Sequence, residues 1–155
     1  MSIIGAAHEH DLGEISILWK SSLQAPWSLK MIQDSFRMPC VYTAVARASS
    51  QSGKKIQGFI MGSFGEEGEI YGISVWSMYQ GKGIGHLLLK AYCSYVKEKG
   101  GRSIFLEVSE YNQSALSFYE QEGFQCIAQR NNYYIQTLGI NTKTSHHGLV
   151  LQKIL

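Results

Sequence analysis

Three glycines stand at alternate positions in the middle of the chain, where a strand-like segment gives way to a helix-like one. Gly81, Gly83 and Gly85 follow the β-rich run 69–76 and open a segment, about 84–99, with the apolar spacing of an amphipathic helix. The pattern predicts a strand, a glycine turn and a helix in succession. The first N–H groups of a helix have no partner within it, and glycines let a ligand approach the backbone closely. We therefore expect a phosphorylated ligand at this turn.

The periodicity of the remaining segments indicates the fold class. The chain is predicted to open with two helices, continue with three antiparallel strands and end with a helix, a strand, a helix and two strands. A helix after the third strand implies a parallel crossover, which indicates an α+β layered fold with a mixed, mostly antiparallel sheet of about six to seven strands and about four helices. No repeat or linker divides residues 1–155, so a single domain is expected. The predicted helices are 11–22, a short one from Ser28, 84–99 and 113–122; the predicted strands are 40–47, 55–63, 69–76, 102–109, 124–130 and 147–155.

Composition argues against several classes of function. The net charge of +2 is small and spread along the chain, so no nucleic-acid partner is expected. No apolar run approaches the ~18 residues of a membrane span, and the start shows no signal-peptide pattern, so we expect a soluble, cytoplasmic protein without a membrane partner. Cys40, Cys93 and Cys126 lack Cys-x-x-Cys spacing and are expected to be reduced, mostly buried thiols. The five histidines show no metal-ligand spacing, so no metal is expected.

Spacing distinguishes among the known phosphate-binding loops. A P-loop needs a lysine and a hydroxyl residue after its last glycine, but Lys82 precedes that glycine and no hydroxyl follows it. The dinucleotide fingerprint Gly-x-Gly-x-x-Gly fails at its third glycine from either starting point. The remaining pattern is Gln-x-x-Gly-x-Gly at Gln80, Gly83 and Gly85. From these residues alone, a glycine-rich turn without a ligand also stays open.

The pattern Gln-x-x-Gly-x-Gly resembles the acyl-CoA pyrophosphate loop of the GCN5-related N-acetyltransferase (GNAT) superfamily. A second signature of that superfamily follows in the expected order, Asn-x-x-Ala-x-x-Phe-Tyr-x-x-x-Gly-Phe from Asn112 to Phe124. The stretches APWS (25–28), LEVSEYN (106–112) and RNNYY (130–134) are similar to the bacterial ribosomal-protein alanine N-acetyltransferases of the RimI type. The resemblance extends from about residue 25 to the end of the sequence and implies the GNAT fold with acetyl-CoA as donor cosubstrate.

The resemblance also implies roles for individual residues. Glu107, which strand alternation places beside Phe105 on one sheet face, is expected to be the base that deprotonates the acceptor amine. Tyr119 matches the family's general acid to the leaving thiolate, and a backbone N–H within 73–75 is expected to stabilise the oxyanion. Taken alone, a glutamate on an open strand face is more often solvated, and a tyrosine at helical spacing is more often core. The residues expected to bind the cosubstrate are Ile73, Ser74, Val75, Gln80, Gly81, Lys82, Gly83, Ile84, Gly85, His86, Asn112 and Tyr119.

The function implied is acetyl-CoA-dependent acetylation of a protein N-terminal α-amine, in particular the N-terminal alanine of a ribosomal protein, by direct transfer in a ternary complex. A monomer or weak dimer is expected. Two alternatives stay open: an acetyltransferase acting on a small amine or a lysine side chain, and a non-catalytic CoA-binding module, against which the presence of Glu107 and Tyr119 speaks. The family's acidic pair on the last strand is replaced by His146 and His147, so the sequence leaves the acceptor unidentified.

Overall fold

Seven strands and four α-helices lie within the residues that the computed structural model describes. These residues are 1–22, 27–50, 55–138 and 142–155, and within 132–146 the backbone alone is described. Residues 25–26 of APWS and the side chains of residues 132–134 and of His146 therefore lie outside the described part. The predicted α+β class, with six to seven strands and four helices, is confirmed.

The elements fall into two units, Met1–Arg102 and Ser103–Leu155, each taken by itself below. The first unit contains β1 (Ser2–Ala6), α1 (Leu12–Ser22), α2 (Leu29–Phe36), β2 (Val41–Ala48), β3 (Gly58–Ser63), β4 (Glu67–Val75) and α3 (Ile84–Glu98). The second contains β5 (Ser103–Ser109), α4 (Gln113–Gln121), β6 (Gln125–Leu138) and β7 (Thr142–Ile154).

The first unit opens with a strand, so the prediction that the chain opens with helices is wrong. β1 pairs antiparallel with β2, from Ser2 opposite Ala48 to Ala6 opposite Ala44. The strand is only five residues long and most of its side chains are at least partly exposed. Its conformation depends on hydrogen bonds to β2, 38 or more residues later in the register, and local periodicity carries no signal of that pairing.

Strands β2, β3 and β4 form the predicted antiparallel meander. The register between β3 and β4 shifts once, because Met61 lies opposite Gly72 whereas Gly62 lies opposite Ile70. Tyr71 is therefore the extra residue of a β-bulge on β4. Its ring lies 5.1 Å from the ring of Trp27, just before α2.

The core of this unit lies on the sheet face covered by α1 and α2. Trp19 of α1 is fully buried and stacks on Phe59 of β3 at 5.2 Å and on Trp27 at 4.9 Å. Ser28 caps α2 by accepting a hydrogen bond from the Met31 N–H at 3.2 Å, as predicted. The buried cluster comprises Ala7, Leu12, Ile15, Leu18, Trp19, Ile32, Val45, Ile56, Phe59 and Met61.

The other sheet face receives α3, because strand residues alternate between faces. Tyr92 of α3 is fully buried and donates its hydroxyl to the Ser63 carbonyl at 2.5 Å. A Cβ atom at Gly62 would lie 2.8 Å from the Tyr92 ring, and one at Gly68 would lie 2.9 Å from its hydroxyl. The two glycines thus leave the space that the tyrosine fills.

In the second unit, β7 lies between β5 and β6 and pairs antiparallel with both. β6 and β7 are longer than predicted: the predicted ranges 124–130 and 147–155 cover only the part nearest β5. The polar residues beyond the predicted ranges continue the hairpin because each strand supplies the other with hydrogen bonds. Gly123, with φ of 90°, ends α4 as predicted.

The three cysteines are free thiols, as expected, but the prediction that they are mostly buried is wrong. Cys40 lies at the turn before β2 and Cys126 lies on β6, and both are exposed; Cys93 in α3 is partly buried. Turn and edge positions override the usual preference of cysteine for the interior.

Candidate active site

The glycine loop has the backbone conformation that only glycine adopts readily. Gly81 and Gly83 have φ values of 76° and 81°, in the left-handed region. A Cβ atom at either position would meet no other atom within 4 Å. The glycines are therefore required by backbone conformation and not by crowding, and they leave an exposed, bare stretch of main chain.

This loop leads directly into the N-terminus of α3. Gly83 is the N-cap residue, and its carbonyl accepts the first bond of the helix from the Leu87 N–H at 3.1 Å. The N–H groups of a helix's first turn have no acceptor within the helix and lie at the positive end of its dipole. Lys82 is exposed and extends over the Tyr79 ring at 5.8 Å, which adds a positive charge beside the loop. These groups fit the phosphates of an acyl-CoA.

Gln80 connects the glycine loop to the end of β4. Its side-chain amide donates to the Val75 carbonyl at 2.9 Å. The first residue of the Gln-x-x-Gly-x-Gly pattern therefore positions the loop by binding the preceding strand.

The end of β4 directs two backbone N–H groups away from β3. The Trp76 N–H donates to the Gln57 carbonyl at 2.9 Å, just beyond the strand. Along an antiparallel pair of strands, opposed residues that exchange hydrogen bonds alternate with opposed residues that do not. Trp76 bonds to Gln57, so Val75 and, two residues earlier, Ile73 are at positions that exchange no backbone hydrogen bonds with β3. Their N–H groups point away from β3, whereas that of Ser74 points toward it. Of the predicted donors in 73–75, the N–H groups of Ile73 and Val75 are thus the two that make no hydrogen bond to β3.

The side chain of Ser74 contacts α1. Its Oγ lies 2.5 Å from the Ser22 Oγ, and Ser22 donates its own proton to the Leu18 carbonyl at 2.7 Å. Because a hydroxyl has one proton, Ser74 is the donor to Ser22. Sequence reasoning missed this contact between the last residue of α1 and the end of β4, since 52 residues separate the two serines.

Glu107 lies on β5 in the predicted orientation. Ile104, Leu106 and Val108 are buried on one face, whereas Phe105 and Glu107 are partly exposed on the other. The Glu107 side chain is 22% exposed. A carboxylate in this position remains accessible to an amine or a water molecule.

Sequence reasoning missed the partner of Glu107. Arg130 on β6 places its Nη1 atom 2.8 and 3.0 Å from the two oxygens of the Glu107 carboxylate. RNNYY drew attention to Arg130 only as part of a family likeness. Opposite charges on two strands of the same sheet give a signal for such a pair, but the register shifts of β6 conceal which residues meet.

Tyr119 is buried in α4. Its ring makes edge-on contacts with Phe118 and Phe124, each at 5.3 Å between centroids. Burial raises the pKa of the Tyr119 phenol above its ordinary value of 10.0, so the hydroxyl keeps its proton at neutral and mildly alkaline pH. A phenol held in this form can donate a hydrogen bond to a developing anion.

Asn112 is the N-cap of α4. Its Oδ1 accepts the Ala115 N–H and the Ser114 hydroxyl, both at 3.2 Å. A side-chain oxygen that accepts from the first turn in this way stabilises the start of the helix. The asparagine thereby fixes the start of the helix that carries Tyr119.

The predicted residues form two groups. Ile73, Ser74, Val75 and residues 80–86 belong to the first unit, whereas Glu107, Asn112 and Tyr119 belong to the second. Ile84 is buried at the start of α3, and His86 is exposed on its first turn. Among the side chains described, no three histidine, cysteine or acidic residues lie close enough to hold a metal ion. No helix in the described ranges is long and apolar enough to span a bilayer.

The model of the acetyltransferase (GNAT) family matches residues 12–124, which confirms the resemblance seen in the two motifs. The [ribosomal protein bS18]-alanine N-acetyltransferase of Haemophilus influenzae is 40% identical over 74 residues, 48% of this chain and 50% of that protein. The chain thus spans about half the length of the curated relatives it matches.

Solved structures show the same fold along the whole chain. The crystal structure of the ribosomal-protein-S18-alanine N-acetyltransferase from Escherichia coli has a TM-score of 0.84 at 24% identity, covering 99% of this chain and 94% of that one. The crystal structure of Arabidopsis thaliana NAA60 in complex with acetyl-CoA has a TM-score of 0.85 at 15% identity, covering 100% of this chain and 99% of that one. At these identities the likeness shows the fold alone.

Proposed function

The chain belongs to the acetyltransferase (GNAT) family, and on that premise we propose that it acetylates the N-terminal α-amine of a protein with acetyl-CoA as donor. The observation that carries the proposal is the glycine loop, in which left-handed Gly81 and Gly83 expose bare backbone at the start of α3. The relatives named for ribosomal-protein alanine acetylation support a protein N-terminus as acceptor.

The first unit supplies the groups that hold the donor. The backbone of the glycine loop and the first turn of α3 bind phosphate oxygens, and Lys82 adds a positive charge. The N–H groups of Ile73 and Val75 stabilise negative charge on the acyl oxygen. When bound, acetyl-CoA supplies an acetyl group as a thioester.

Glu107 acts as the general base. An α-amino group has a pKa of about 8, so most of it is protonated at neutral pH and cannot attack until a base removes the proton. The partly exposed Glu107 carboxylate accepts that proton, directly or through one water molecule. The free amine then attacks the thioester carbonyl in a ternary complex, and no covalent intermediate on the enzyme is needed.

Tyr119 acts on the leaving group. Its phenol stays protonated because burial raises its pKa, so a hydrogen bond is available to the departing sulfur. The same raised pKa makes complete transfer of the phenol proton to the sulfur less favourable than a hydrogen bond to it would otherwise suggest, so we assign Tyr119 the role of hydrogen-bond donor. Asn112 contributes by fixing the start of α4.

The acceptor we propose is the N-terminal alanine of a ribosomal protein, which agrees with the predicted cytoplasmic location. The test is mass spectrometry of peptides incubated with the protein and acetyl-CoA. The panel compares free alanine, serine and methionine termini with an N-terminally blocked peptide carrying an internal lysine, and with a polyamine. We expect acetylation of the free alanine terminus, and loss of that product in Glu107→Gln.

Two outcomes would contradict the proposal. Acetylation confined to the blocked lysine peptide or the polyamine would assign a different acceptor. Tight binding of CoA with no product from any acceptor would indicate a binding module without turnover.

A further inference from the structure

Glu107 and Arg130 meet although a whole strand separates them. Glu107 lies on β5, Arg130 lies on β6, and β7 runs between the two strands. The Nη1 atom of Arg130 nevertheless contacts both carboxylate oxygens, at 2.8 and 3.0 Å. The arginine side chain must therefore cross the face of β7.

The register shows why this crossing is open. Arg130 lies opposite Gly148 of β7, and Glu107 lies opposite Val150. Directly opposed residues share a sheet face, so these four lie on one face, and the position beside the arginine carries no side chain. Gly148 leaves the path along which Arg130 reaches diagonally to β5.

The pair is built to orient a carboxylate without blocking it. A carboxylate has about four lone-pair sites, and a contact from one Nη1 to each oxygen uses two of them. The other sites stay available to an amine or a water molecule. The Arg130 side chain is 53% exposed and that of Glu107 is 22% exposed, so both side chains are in part accessible to solvent.

The strands of this unit place few charged side chains near Glu107. Among the described side chains on this face of β5, β6 and β7, Glu107 and Arg130 are the charged ones. The nearby carboxylate of Glu110 accepts the backbone N–H of His147 at 3.0 Å. Arg130 is thus the described cation in direct contact with the proposed base.

We propose that Arg130 is a positioning residue, whose guanidinium contacts both oxygens of the Glu107 carboxylate and holds it aimed so that it can accept a proton from the acceptor amine. This inference rests on the proposed role of Glu107 as base. Positioning requires the charge of Arg130, so lysine should replace it in part and glutamine should not.

The kinetic test compares Arg130→Gln and Arg130→Lys with the wild-type protein on an alanine-terminated peptide. We expect Arg130→Gln to lower kcat roughly tenfold or more, since small misplacements of a reacting group have effects of this size. KM for acetyl-CoA should stay unchanged, and Arg130→Lys should recover part of kcat.

Arg37→Gln is the matched control, because Arg37 forms an exposed pair with Glu9 at 3.0 Å on the first unit. It should leave kcat unchanged. Wild-type kcat in Arg130→Gln would overturn the inference, as would a lysine variant no more active than the glutamine variant.

A second measurement does not depend on turnover. The NMR signal of the Glu107 carboxyl carbon can be recorded at one neutral pH in the wild-type protein and in Arg130→Gln, with Glu107→Gln to assign the signal. We expect the chemical shift to differ in Arg130→Gln, because the charge-assisted hydrogen bonds to both carboxylate oxygens are lost. An identical chemical shift would overturn the inference even for a protein that acetylates no acceptor, whereas a changed shift without turnover would count against the proposed function alone.

Discussion

Gln80 donates its side-chain amide to the carbonyl oxygen of Val75 at 2.9 Å, so the loop that we assign to phosphate binding is attached to the end of β4. Replacing Gln80 with alanine removes this bond without changing the loop glycines. A typical net hydrogen bond contributes about 1 kcal/mol, so we expect the Kd for acetyl-CoA to rise roughly fivefold. Isothermal titration calorimetry measures this Kd. Gln121→Ala, an exposed position in α4, is the control and should bind as the wild type does; equal affinity of Gln80→Ala and this control would remove the assigned role.

Gly83→Ala tests the conformation of the loop. At φ of 81° an alanine is strained by roughly 1–2 kcal/mol, although its methyl group would meet no protein atom. We expect a measurable rise in KM for acetyl-CoA, because the loop relaxes away from its binding conformation. In Gly13→Ala, at an open position within α1, KM should not change. If both variants had the wild-type KM, the left-handed backbone would not matter for binding.

Tyr119→Phe removes the hydroxyl and keeps the buried ring with its contacts to Phe118 and Phe124. We expect kcat to fall roughly 10²-fold, the lower end of what a general acid or an anion-stabilising donor contributes. KM for acetyl-CoA should change little, because the effect lies in the transition state. Steady-state kinetics measure both constants, and an unchanged kcat would exclude Tyr119 from the reaction.

Alkaline pH should destabilise the fold through its buried tyrosines. Burial raises the pKa of both Tyr92 and Tyr119 in the folded state above 10.0, whereas in the unfolded chain they ionise near that value. Above pH 10 the unfolded state releases these protons first, so the stabilisation present at lower pH is lost as pH rises. Each group should lower the free energy of unfolding by about 1.4 kcal/mol for each pH unit above 10 until its folded-state pKa is reached.

Urea unfolding at pH 8 and pH 11 measures this loss. Tyr119→Phe should reduce the difference between the two pH values, since phenylalanine does not titrate. A difference of the wild-type size in that variant would show that Tyr119 ionises equally in both states.

Gly62→Ala should destabilise the first unit. The added Cβ would lie 2.5 Å from the Glu69 carbonyl oxygen and 2.8 Å from the Tyr92 ring. Overpacking of this kind typically costs about 1–3 kcal/mol of unfolding free energy. Thermal or urea unfolding measures this loss of stability. The control is Gly5→Ala, where a Cβ meets nothing within 4 Å. Equal stability of the two variants would mean that both the Glu69 backbone and the Tyr92 side chain move without cost.

Elements with local signals could be predicted from the sequence. Ser28 and Asn112 cap the helices that follow them, and Gly123 ends α4, because each of these residues acts on backbone within four positions. The glycine loop before α3 could be predicted for the same reason, because its glycines act on the adjacent backbone. The alternation that orients Glu107 also lies within one strand.

Contacts between elements that are far apart in the sequence could not be predicted. The pair of Ser22 and Ser74 and the pair of Glu107 and Arg130 each join elements that are brought together by strand order. The bulge at Tyr71 adds one residue to β4, so counting by twos along the sequence assigns the wrong face on one side of it.

The fit of Tyr92 against Gly62 and Gly68 limits which substitutions these positions can accept. A side chain larger than hydrogen at either glycine collides with the tyrosine, whereas a smaller residue at position 92 leaves a cavity but no collision. A smaller residue at position 92 would still not open either glycine to substitution, because a Cβ at Gly62 would lie 2.5 Å from the Glu69 carbonyl oxygen and one at Gly68 would lie 2.9 Å from the Ser63 carbonyl oxygen. Each glycine is therefore constrained by the tyrosine and by the neighbouring backbone at once, so no single compensating change at position 92 makes a side chain acceptable there.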